Sequence, residues 1–150
     1  PLEDFFIAYR RTALQPGEFI ARIDVPLPQA GWQFRCYKVA KRLDQDISAV
    51  CGAFHVCIAD GRVQDIRIGF GGVAATPARA RATEQVLLGQ PWSEAALRVA
   101  MDALDAEFAP ISDMRASAAY RRIVVRNLLY KAFLETGGAA GQRTRLAVPA

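Results

Sequence analysis

The chain has 150 residues, 52% of them hydrophobic, which is enough for one buried core without staples and too little for two independent ones. Charged residues at 23% exclude gross disorder, and no apolar run reaches the ~18–20 residues that a membrane span needs. The net charge of +4 is carried almost wholly by Arg, with Lys only at Lys38, Lys41 and Lys131. The charges are interleaved with acids and form no aromatic–basic stripe, so nucleic acid is not the expected partner. No charged-then-apolar leader is visible, and a start at Pro1 is expected of a processed chain or a piece of a longer one.

Residues 2–8 read as a short apolar stretch with one helical turn, followed by a turn at Gln15-Pro16-Gly17. Residues 18–25 alternate, with Phe19, Ala21, Ile23 and Val25 on one face, which predicts a half-buried strand stopped by Pro26 and Pro28. A second strand over 33–41 puts Phe34, Cys36, Lys38 and Ala40 on one face and Tyr37 and Val39 on the other. Residues 42–46 read as a charged loop. A long β run over 48–59, an Asp60-Gly61 hairpin turn and a returning strand over 62–70 come next. Gly69, Gly71 and Gly72 end it, which implies positive φ or close backbone approach.

From residue 78 the periodicity becomes helical. A first helix over 78–88 stops at Gly89. A second, capped by Ser93, runs to about residue 108 with Ala96, Val99, Ala100, Ala103 and Leu104 inward. A third, capped by Ser117, runs to about residue 135. Its expected stripe is Tyr120, Ile123, Val124, Leu128 and Ala132, with Arg121, Arg122, Arg126 and Lys131 largely off it. Gly137-Gly138 ends the helix, and residues 139–150 read as a fraying tail. Strands first and helices second predict an α+β domain: a small antiparallel sheet of three or four strands against about three helices, in two layers.

Cys36, Cys51 and Cys57 are odd in number and lack CxxC spacing, so three buried thiols in a reducing cytoplasm are expected rather than a disulfide or metal site. His55 lies mid-strand and reads as a core or sheet-face histidine. No phosphate-binding glycine motif is present. Lys38 is the unusual residue. On a face shared with Phe34, Cys36 and Ala40, an ammonium loses hydration unless it snorkels or meets an anion or electron-rich ligand. The residues alone leave both open.

An ordered series of motifs then carries a resemblance. It runs Phe5-Phe6 with Tyr9-Arg10-Arg11-Thr12, Pro16-Gly17-Glu18, Tyr37-Lys38 through Asp46-Ile47, and Gly71-Gly72-Val73-Ala74 with Pro77. It ends with Ser112-Asp113-Met114-Arg115-Ala116-Ser117, Tyr120-Arg121 and Arg126-Asn127-Leu128-Leu129. In order and spacing the chain resembles the C-terminal domain of the FAD-binding part of molybdenum hydroxylases. The form is that of the small FAD/iron–sulfur subunit of bacterial xanthine dehydrogenase. Tyr-Arg-Arg-Thr favours that branch over carbon monoxide dehydrogenase.

The resemblance implies a CO dehydrogenase flavoprotein C-terminal-like fold over residues 1–150, as a fragment of a longer chain. It implies an enzyme that oxidises hypoxanthine and xanthine to urate at a molybdenum cofactor on another subunit. Electrons then pass through [2Fe–2S] clusters to FAD and on to NAD. The cluster cysteines and main pyrophosphate loop lie upstream, so only part of a flavin pocket is expected here. The implied partners are the rest of the FAD/iron–sulfur subunit and the molybdenum-bearing large subunit, in a cytoplasmic heterotetramer. By position, Lys38, Ile20 and Phe19 fall on FAD-contacting sites and Tyr9 near the nicotinamide side. Arg42, Asp44 and Asp46 fall in a charged loop near flavin and NAD, where Gln45 departs from the acidic pattern. The alternative is a non-catalytic docking domain that presents Arg121, Arg122 and Arg126 to a partner subunit.

Overall fold

A computed structural model describes residues 1–27, 29–42 and 45–137. The elements are α1 (Leu2–Phe5), β1 (Phe6–Ala8), β2 (Arg11–Thr12), β3 (Trp32–Val39), β4 (Val50–Ala59), β5 (Arg62–Gly71), β6 (Ala78–Arg79), α2 (Arg81–Leu87), α3 (Glu94–Glu107) and α4 (Ala118–Thr136). β1 and β2 form a small antiparallel ribbon, and β3-β4-β5-β6 form a four-stranded antiparallel sheet. The expected α+β architecture is the observed one. Asp44 and the tail over 139–150 lie outside the described residues.

The sheet is organised by the β4–β5 hairpin. Asp60 and Gly61 both take positive φ (52° and 70°), the geometry of a tight turn whose twist matches the flanking strands. A bulge at Cys57/Ile58 resolves an inconsistency in the β5 pattern. Val63 cannot share a face with Ile66 and Ile68 in strict alternation, but the register slips by one between Val63 and Asp65, and all three become buried.

One face of the sheet carries the core. Tyr37, Val50, Phe54, Val56, Ile66, Ile68 and Phe70 pack under Leu97, Leu104, Val125, Leu128, Leu129 and Phe133 of the helices. Gly52 lets α4 settle close: a Cβ there would meet Phe70, Phe54 and Leu128 side chains at 3.0–3.2 Å. Polar groups then tie β3 to the end of α4. Tyr37 donates its hydroxyl to Glu135 Oε2 at 2.7 Å, Arg35 reaches the Glu135 carbonyl at 2.8 Å, and Gln33 reaches that of Thr136 at 2.9 Å.

Several expectations are corrected. Residues 18–25 form no strand: the segment has no pairing partner among the described residues, and Phe19, Ile23 and Val25 are 72–79% exposed. The first helix begins at Arg81 rather than 78, because Ala78 and Arg79 pair with Phe70 and Gly69 as an edge strand. In α3 the buried set is Leu97, Ala100 and Leu104, and Val99 faces out. In α4 the buried stripe is rotated to Arg121, Val124, Val125, Leu128, Leu129, Ala132, Phe133 and Thr136, leaving Tyr120 and Ile123 exposed. The 121-125-128-132-136 spacing holds the helical period, so an arginine occupies one end of the apolar stripe. The caps hold, with Ser93 accepting from Ala96 N and Ser117 from Tyr120 N. The three cysteines are not buried. Cys36 is exposed and Cys51 and Cys57 half-buried, because they alternate with core residues and face away from the helices.

Candidate functional site

No described helix or strand covers the face opposite the helices. Strand register sets its side chains in rows: Trp32–Cys57–Asp65, Phe34–His55–Arg67, Cys36–Ala53–Gly69 and Lys38–Cys51–Gly71. At one end, Trp32 stacks on His55 with ring centroids 4.2 Å apart, and Phe34 meets the same imidazole edge-on at 6.2 Å. Desolvation there, reinforced by Arg67, lowers the His55 pKa. At the other end the residues are small, and Lys38 lies in line with Cys51 and Gly71. Burial, helped by the neighbouring Cys36, raises the Cys51 thiol pKa, while Lys38 pulls it down.

Lys38 therefore sits on an apolar face, as alternation predicts, but on the open one. It is exposed, as are Phe34 and Cys36, and Ala40 lies beyond the strand. Its cleft is real: Lys38, Lys41, Arg42, Gln45 and Asp46 line a hollow of about 470 Å³. There the Asp46 carboxylate accepts from Arg42 N at 3.0 Å and pairs with the Arg42 guanidinium at 3.4 Å. The Arg42 N–H bond is the chief cause of a lowered Asp46 pKa. Gln45 takes a positive φ of 50° in the turn.

A second, larger hollow of about 590 Å³ adjoins the same row through Cys51 and Gly71. Tyr9, Ile47, Gly72, Ala74, Ile111 and Arg115 are among its walls. Gly72 has φ +85°, and a Cβ there would strike the Ala49 carbonyl and crowd Arg121 at 3.0 Å. So within the glycine cluster only Gly72 shows positive φ and close approach; a Cβ at Gly71 would make an ordinary 3.7 Å contact with Cys51, and one at Gly69 would meet nothing within 4 Å. Across this hollow, Asp113 Oδ1 accepts from Arg115 N at 2.8 Å and Ala116 N at 3.1 Å. Those bonds, with Arg121 beside it, hold the Asp113 carboxyl down at about 2.

Of the residues expected at a site, the fold brings Lys38, Arg42 and Asp46 to one hollow and Tyr9 to its neighbour. Phe19 and Ile20 stand apart on the unpaired arm, 79% and 52% exposed. Asp44 is not among the described residues. Ile47, Cys51, Asp113 and Arg115 were missed as site residues. Gly71-Gly72 and the Ser112–Ser117 motif were visible in the sequence, but nothing there shows that they meet.

The arginine-bearing helix does not offer the expected docking face. Arg121 is 3% exposed and Arg126 is paired with Asp102 and Asp105 of α3, which leaves Arg122 as the exposed member. No helix among the described residues is long and apolar enough to cross a membrane.

Residues 35–136 match the model of the CO dehydrogenase flavoprotein C-terminal domain. The chain is 38% identical over 138 residues to a nicotinate hydroxylase of Emericella nidulans, covering 87% of this chain and 10% of that protein. It is 31% identical over 139 residues to the xanthine dehydrogenase/oxidase of Gallus gallus, covering 88% and 10%. Among solved structures it superposes on a carbon monoxide dehydrogenase chain of Hydrogenophaga pseudoflava with a TM-score of 0.81 at 29% identity, over 89% of this chain and 47% of that one. It thus spans about a tenth of those two relatives and under half of that chain. With the matched region reaching from the middle of β3 to the end of α4, this chain belongs to the CO dehydrogenase flavoprotein C-terminal domain family of the molybdenum hydroxylases.

Proposed function

We propose that this chain forms one wall of the FAD site in a molybdenum hydroxylase of the xanthine dehydrogenase type. The observation that carries this reading is the Lys38–Cys51–Gly71 row, which places a cation between two adjoining hollows on an otherwise small-residue surface. The residues fit the group. Ala53, Gly69 and Gly71 leave the sheet without bulk where a planar ring needs to lie, and a Cβ at Gly69 would meet nothing within 4 Å. Lys38 would hold the ring's electron-rich edge. Bound FAD would supply two-electron chemistry between [2Fe–2S] centres and NAD.

Lys38 sets charge against the form that gains electrons, and a charge-assisted hydrogen bond in a partly dry site stabilises it by roughly 1.5–3 kcal/mol. Arg42 and Asp46 neutralise one another at the mouth of the hollow. Tyr9 and the Gly72 hollow form the side on which NAD docks. Phe19 and Ile20 reach flavin from the arm once the remainder of the FAD module covers it. Hypoxanthine and xanthine are oxidised at a molybdenum cofactor on the large subunit of a cytoplasmic heterotetramer.

The test is Lys38→Ala in the assembled flavoprotein, read by flavin content and by the reduction potential of the bound flavin. We expect lower occupancy or a potential shifted against the reduced form. Full occupancy at an unchanged potential removes the reading.

A further inference from the structure

Arg121 is an arginine at the buried end of an apolar stripe, 3% exposed. Its guanidinium joins three segments. Nη1 donates to the Ala49 carbonyl at 2.5 Å and the Gly72 carbonyl at 2.7 Å, and Nη2 donates to Asp113 Oδ1 at 2.6 Å. Ala49 precedes β4, Gly72 follows β5, and Asp113 lies in the loop before α4. Those segments also wall the larger hollow, in which Arg121 itself has a place. Its Nε is buried with no hydrogen-bond partner among the described residues.

Packing does not account for such a residue. An apolar side chain would fill the space without desolvating a cation, and a buried ion pair is often no more stable than its hydrophobic replacement. What the guanidinium adds is planar geometry: one rigid fork fixes two strand ends and a carboxylate together. That carboxylate is shared. Asp113 Oδ2 also pairs with Arg115 Nη1 at 3.4 Å, and the Arg115 side chain is 38% exposed at the rim. Two guanidinium groups against one carboxylate leave a net positive charge there, suited to an anionic ligand group.

We propose that Arg121 is a positioning residue for the acceptor hollow: by tying both strand ends to Asp113, it fixes the loop that presents Arg115 to the pyrophosphate of a dinucleotide. This rests on the reading of that hollow as the NAD side.

The test compares wild type, Arg121→Ala and Arg121→Lys in the assembled flavoprotein. It reads flavin content, the dissociation constant for NADH, and hydrogen exchange over residues 109–117. Arg121→Ala is expected to keep its flavin, bind NADH about tenfold or more weakly, exchange faster over 109–117, and recover both properties in guanidinium chloride at non-denaturing concentration. Arg121→Lys is expected to recover part of the binding, since an amine reaches the carbonyls without the fork. Unchanged NADH affinity in a flavin-loaded Arg121→Ala protein overturns the proposal. So does a joint loss of flavin and NADH binding without guanidinium recovery, which would mark mere structural support. If Arg121→Ala does not fold, Asp113→Ala removes the acceptor and breaks the same tie: weaker NADH binding supports the proposal and unchanged binding overturns it. A wild type that binds no NADH overturns the dinucleotide reading and the ligand named here. Exchange over 109–117 then still decides the tie, supporting it if guanidinium-reversible and overturning it if unchanged.

Discussion

The two faces of the four-stranded sheet come from the same strands and have opposite fates. On one, Phe54 is 2% exposed, with ring centroids 5.9 Å from Tyr37 and 5.6 Å from Phe70. On the other, Phe34 is 58% exposed beside Cys36 and Lys38. Both faces are apolar enough to be core by composition. Only the face with helices over it behaves as core, so alternation tells which residues travel together and not which set is covered.

Substitutions can break that contrast. Phe54→Ala carries the largest expected effect, a loss of about 3–5 kcal/mol in chemical denaturation, because it empties a packed position. A loss below about 1 kcal/mol would mean that the helix layer does not seal this face. Gly72→Ala is next. It demands a left-handed backbone from a side chain that also strikes the Ala49 carbonyl, at a cost of about 1–3 kcal/mol. An unchanged denaturation midpoint would show that the corner can relax.

A smaller effect is confined to acid. Asp113 is held at about 2 against an ordinary 3.8, so its folded pKa lies below its unfolded one. Its contribution is present above about pH 4 and is lost as pH falls toward 2. Asp113→Asn should flatten the pH dependence of thermal unfolding in that window. An identical acid limb in wild type and variant would remove Asp113 from the account. The smallest expected effect is Phe34→Ala, within about 0.5 kcal/mol. A loss on the Phe54 scale would erase the distinction between the faces.

The sequence made the hairpin at Asp60-Gly61, the caps Ser93 and Ser117 and the β3 alternation readable, because each depends on neighbours a few residues away. It misplaced what depends on distant partners. Residues 18–25 alternate like a strand, but among the described residues they find no strand to pair with. Arg121 looked like an outward charge because its acceptors, Ala49, Gly72 and Asp113, converge from three segments. The site was half legible in the same sense. Lys38 stood out by its face, whereas Cys51 and Arg115 gain meaning only from cross-strand register and loop placement.

The uncovered arm has a consequence for handling. Phe19, Ile23, Val25 and Leu27 are exposed on backbone that joins no ladder among the described residues, which is the makeup of a strand that pairs with whatever meets it first. Made by itself, this polypeptide would invite self-association through that stretch.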